Sequence, residues 1–73
     1  MSDLKFEIIK EIGQLSESNK GWKKELNIVS WSDNKPKYDI REWAPNHEKM
    51  SKGITLSTEE LKELKDLLNN MEF

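Results

Sequence analysis

Near the start of the chain the apolar residues Leu4, Phe6, Ile8, Ile9, Ile12 and Leu15 keep to no single period, because the alternation Leu4, Phe6, Ile8 shifts phase at Ile9. An amphipathic helix and a strand both fit this spacing. Three isoleucines and a phenylalanine favour the pleated state, and a glycine inside a strand marks a bulge or bend, so residues 4–15 read as a strand bent near Gly13. The polar run SESNKG (16–21) is a turn. Residues 22–31, WKKELNIVSW, form a second strand with Leu26 and Ile28 on one parity and Lys23, Asn27, Val29 and Trp31 on the other. After a second turn, SDNKP, residues 37–43 alternate again: Tyr38 and Ile40 on one side, Lys37, Asp39, Arg41 and Trp43 on the other.

Residues 45–52 are a polar connection, and Gly53, Ile54, Thr55 and Leu56 make a short fourth strand bounded by glycine. Ser57 then opens a helix expected to run to about Asn70. Ser57-Thr58-Glu59-Glu60 has the form of a capping box, and Glu59 and Glu60 suit the positive end of a helix dipole. Leu61, Leu64, Leu67, Leu68 and Met71 follow as a broad apolar stripe.

Four strands followed by one helix predict an α+β domain, a four-stranded antiparallel sheet with a C-terminal helix. One helix covers one face of such a sheet. The parity that carries Leu26, Ile28, Tyr38 and Ile40 is therefore expected to form the core, leaving Trp31, Trp43, Arg41, Lys23 and Lys37 on an open face. The helix stripe has two uses, covering the sheet and meeting a second subunit. Leu61, Leu64, Leu68 and Met71 are the candidate dimer interface, with Phe73 extending it.

Seventy-three residues make one domain, 1–73, and one this small buries only about 60% of its unfolded surface. With 34% apolar residues the core is thin, and small domains of that kind are commonly held by a staple. The absence of cysteine excludes disulfides and thiolate metal sites, and the single histidine, His47, cannot build a metal centre alone, so no cofactor is expected. A partner subunit remains, which predicts a homodimer. No apolar run approaches the roughly 18 residues of a membrane span, and residues 1–10 lack the basic start and apolar stretch of a signal peptide, so the expected compartment is the cytoplasm.

Net charge changes the picture when it is divided along the chain. Its overall value of −2 argues against an anionic partner, yet residues 20–52 hold eight basic against five acidic groups. The same segment contains Trp22, Trp31 and Trp43, Tyr38 and the single arginine, Arg41. Cations mixed with aromatics suit a surface that tracks phosphates and stacks bases.

The run Lys37-Tyr38-Asp39-Ile40-Arg41-Glu42-Trp43, followed by Lys52-Gly53-Ile54-Thr55-Leu56-Ser57 and a capped helix with Glu59, Leu61 and Leu64, resembles the single-stranded DNA-binding domain of the transcriptional coactivator positive cofactor four, in a short bacterial form. The resemblance covers roughly residues 24–68. It implies a dimer whose two curved sheets form a channel for single-stranded nucleic acid. It also implies that Trp31 stacks a base, that Arg41 and Lys52 contact the strand, and that Lys35 and Lys37 stand where the family has turn lysines. Trp43 occupies a site where eukaryotic members have two consecutive aromatics.

The expected function is thus a homodimeric single-stranded DNA-binding protein of little sequence preference, serving transcription regulation or DNA replication and repair. Trp31 and Trp43 would stack bases, while Arg41, Lys23, Lys35, Lys37 and Lys52 would hold phosphates. Competing readings are packing for the tryptophans, an ion pair of Arg41 with Glu25 or Asp39, and simple solvation for the lysines. Trp22, beside a loop, is expected to pack. His47 reads as a solvent-exposed loop histidine, and with no nucleophile or phosphate loop in view the chain is not expected to be an enzyme or to take a small-molecule substrate. A protein-interaction module using the tryptophan-bearing face is the alternative function. Single-stranded RNA is an equivalent partner on these residues.

Overall fold

A computed structural model describes residues 5–72, so Leu4, assigned to the first strand, and Phe73, assigned to the helix stripe, lie outside the described residues. Four strands, β1 (Phe6–Glu17), β2 (Lys23–Trp31), β3 (Lys37–Trp43) and β4 (Ile54–Leu56), precede a helix, α1 (Thr58–Asn69). The strands pair antiparallel in chain order, making one sheet with β1 and β4 at its edges. A single 3-10 turn, Pro45–His47, interrupts the connection from β3 to β4. The capping box is formed: the Ser57 hydroxyl oxygen accepts from the Glu60 backbone at 3.1 Å, and the Glu60 carboxylate accepts from the Ser57 N–H at 2.9 Å.

The irregular period of the first segment has a direct structural cause. Pairing of β1 with β2 shifts register between Ile8 and Lys10, between Glu11 and Gly13 and between Gln14 and Ser16, leaving Ile9, Ile12 and Leu15 each as an extra residue. Each bulge bends the strand and increases its twist. Gly13 sits in the middle one, where the sequence places the bend.

Three successive bulges curl the sheet. Phe6 pairs with Trp31 at one end of β2, and Trp43 pairs with Lys23 at the other, a separation of about 26 Å along a flat strand. Yet the rings of Phe6 and Trp43 lie 5.2 Å apart between centroids. The sheet closes over the face that carries Val29, Trp31, Asp39, Arg41 and Trp43, and the core forms inside that concavity.

This reverses the expected assignment of faces. Glu25, Asn27, Val29, Asp39 and Trp43 are buried, whereas Leu26, Ile28, Tyr38 and Ile40, expected to form the core, are only half-buried. The parity of each strand reads correctly from the sequence. Its consequence does not, because a curled sheet covers its own concave side, and the short helix reaches only part of the convex one. No residue of α1 is buried, and Leu67, Leu68 and Met71 are exposed.

Gly53 shows how closely β4 approaches β3. A β-carbon there would collide with Cβ of Arg41 and the carbonyl oxygen of Ile40, whereas one at Gly13 would meet nothing within 4 Å. Gly53→Ala should therefore destabilise the protein by about 1–3 kcal/mol in denaturant titration, as overpacking does. Gly13→Ala should change stability by less than about 1 kcal/mol.

Candidate nucleic-acid interface

The concave face is organised around an aromatic row. Phe6 packs between Trp31, at 5.8 Å, and Trp43, at 5.2 Å, both tilted by about 45°. His47 meets the Trp43 ring edge-on at 5.1 Å. The Arg41 guanidinium carbon lies 4.5 Å from the centroid of Trp31, a cation–π contact that fixes the ring from within.

Arg41 is held in turn by Asp39. Its Nε and Nη2 donate to the two carboxylate oxygens at 2.7 and 2.8 Å, and Nη1 reaches the Ser51 carbonyl at 3.4 Å. Thr55 on β4 donates to the same carboxylate at 3.2 Å. Asp39 is wholly buried and the Arg41 side chain only 13% exposed, so this is a bidentate pair inside the fold.

A second buried polar group joins β2 to the 3-10 turn. Asn27 Nδ2 donates to Glu25 Oε1 at 2.9 Å, and His47 Nε2 lies 3.0 Å from the same oxygen. Burial raises the Glu25 carboxyl. The hydrogen bonds from Asn27 and His47, with the charges of His47 and Lys23, outweigh it and hold the group below its ordinary value of 4.5.

The structure places the predicted site residues unequally. Trp31 is half-buried at the edge of the row; its Nε1 is buried without a hydrogen-bond partner, so what it presents to solvent is apolar ring. Trp43 is 1% exposed, which corrects the expectation that it offers a face to bases: the curl brings it under Phe6 and makes it the largest core side chain. The Arg41 fork, assigned to phosphate, is filled by Asp39. Lys23, Lys35, Lys37 and Lys52 are all exposed, and Lys23 and Lys37 share the parity of Trp31. Trp22 is half-buried. His47, expected in solvent, is partly buried against Trp43 and Glu25 because the turn folds back onto the sheet.

Sequence reasoning missed Phe6 as the centre of the aromatic row and Glu25 and Asn27 as its polar support. The signal for the first was present, since Phe6 and Ile8 keep strand alternation up to the phase shift. Among the described residues no group of three or more His, Asp or Glu side chains is arranged to hold a metal ion. No helix among them is long and apolar enough to cross a membrane.

Residues 18–67 match the model of the family described as Transcriptional Coactivator p15 (PC4). The chain belongs to this family. The match runs from the turn before β2 almost to the end of α1, and so includes Trp31, Arg41, Gly53 and the capped helix, but leaves out the whole of bulged β1. An uncharacterized protein of Treponema pallidum (strain Nichols) is 46% identical over 69 residues, covering 94% of this chain and 81% of that protein. Likeness to that relative therefore extends through β1, beyond the segment matched to the p15 family.

The Glu25 cluster carries a pH signature. Because folding lowers this carboxyl, its contribution is complete above pH 4.5 and is lost as pH falls through the lower folded value. Glu25→Gln should be less stable than the wild type at pH 6, and the gap should close progressively below pH 4.5 in thermal melts.

Proposed function

We propose that the protein is a homodimeric single-stranded DNA-binding protein with little sequence preference, acting in transcription regulation or in DNA replication and repair. The observation that carries this reading is the half-exposed Trp31 ring, braced by Arg41 and accompanied by exposed lysines, on a chain of the p15 family. Trp31 stacks a base, a contact worth roughly 1–3 kcal/mol. Lys23, Lys35, Lys37 and Lys52 hold phosphates. Arg41 acts as a positioning residue, keeping the Trp31 ring in place, and Trp43 supports the row from below.

The dimer is supported by the convex side. Leu26, Tyr38 and Ile40 of the sheet, Leu15 of β1, and Leu61, Leu64 and Leu68 of the helix line an apolar groove of about 500 Å³ that one chain leaves unfilled. Leu68 and Met71 remain 44% and 53% exposed beside it. A second copy closes such a groove and adds the core that a chain of this length lacks.

Titration of tryptophan fluorescence with oligo-dT at low salt should show quenching, and affinity should fall steeply as salt rises. Trp31→Ala should weaken binding by about fivefold to a hundredfold. Absence of quenching in the wild type refutes the reading, and binding of a protein partner that is indifferent to salt would favour the interaction-module alternative. For the dimer, sedimentation at micromolar concentration should give twice the chain mass, and Leu68→Glu should give a monomer. A wild-type monomer would remove the two-sheet channel.

A further inference from the structure

Beyond His47 the concave face ends in a second feature, a cavity of about 290 Å³ between β1, the start of β2 and the 44–47 turn. Ile12 and Pro45 supply apolar wall, and Gln14, Lys23, Glu25 and Asn46 supply polar groups. Its size falls at the lower limit of small-molecule sites, roughly 300–1,000 Å³, which suits one planar ring. The turn that bounds it is held in an unusual conformation, with Asn46 and His47 at φ of 62° and 57°.

The chemistry is set by Glu25. Oε1 is already engaged by Asn27 and His47. Oε2 has no hydrogen-bond partner among the described residues, and Glu25 lines the cavity. An ionised carboxylate only accepts. A ligand here must therefore donate, and one that turns a carbonyl towards Oε2 is repelled. Adenine, cytosine and guanine carry an exocyclic amine, whereas thymine and uracil have a carbonyl in the place of the cytosine amine, and their one donor on that edge, N3–H, lies between two carbonyls that a carboxylate repels. The cavity also continues the aromatic row, since His47 on its wall touches Trp43, which touches Phe6 and through it Trp31.

We infer that this cavity receives one unstacked base of a bound single strand and favours a base with an exocyclic amine, with Glu25 Oε2 as acceptor and the Gln14 and Asn46 amides beside it; the inference rests on the single-strand-binding reading above. Most of the strand is then held without regard to sequence, and one subsite discriminates.

The test compares three oligonucleotides in a dU background: dU throughout, one central dC, and one central N4,N4-dimethyl-dC. The wild type should bind the dC strand at least about fivefold tighter than the dU strand. The dimethylated strand, which has lost the donor, should fall back to the dU level. Glu25→Gln, whose amide donates as well as accepts, should bring the dC to dU ratio to one or below, with folding checked by circular dichroism. Trp31→Ala should weaken all three strands and leave their ratio in place. Equal wild-type affinity for the three strands overturns the cavity assignment alone. Failure of all three strands to bind overturns it together with the proposed function.

Discussion

The curl of the sheet is the constraint on which the other features depend. Between Ile8 and Glu17, β1 uses three residues for every two of β2, and a strand that carries such an excess has to bend. Bending draws Phe6 and Trp43 into contact from opposite ends of the sheet. Once they meet, the middle of the face between them is withdrawn from water. Polar side chains on it then have to be satisfied internally. Asp39 takes the Arg41 fork and the Thr55 hydroxyl, and Glu25 takes Asn27 and His47. A concave face rich in ionisable groups thus becomes a core, because the groups occur in complementary pairs at facing or next-neighbour positions.

The same curl explains the division between the two sides of the molecule. A sheet closed on its concave face has no need of the helix there. The helix lies on the convex side with none of its leucines buried, and the groove beneath it stays open. Stability within one chain and the surface proposed for association are therefore assigned to opposite faces. At the rim of the concavity, the curl leaves Trp31 and Phe6 partly accessible, with the part-buried Arg41 holding the Trp31 ring.

Much of this was legible in the chain. Strand alternation gave the right parity for every residue of β2 and β3, and Ser57 with Glu60 marked the helix start to the residue. The motif around Arg41 and Gly53 carried the family, and the close approach of Gly53 to Arg41 gives its glycine a physical reason. Ile9, Ile12 and Leu15 were harder. A spacing of three is a helical signature in a regular chain, and only repeated bulges make it compatible with a strand. Gly13 was the one residue to hint at them.

The order of elements, the two-faced strands, the helix cap, the basic aromatic middle segment and the family were determined by sequence alone, because each rests on neighbours within a few positions or on a contiguous motif. Which face is inside was decided only by the tertiary structure. Parity says that Trp31, Arg41 and Trp43 lie together but not whether they look outward or inward. That depends on the accumulated bend of three bulges and on a contact between Phe6 and Trp43, which lie 37 positions apart in the chain. For the same reason Trp43 became a core residue and Arg41 a brace: long-range closure removed them from water after local pattern had made them look exposed.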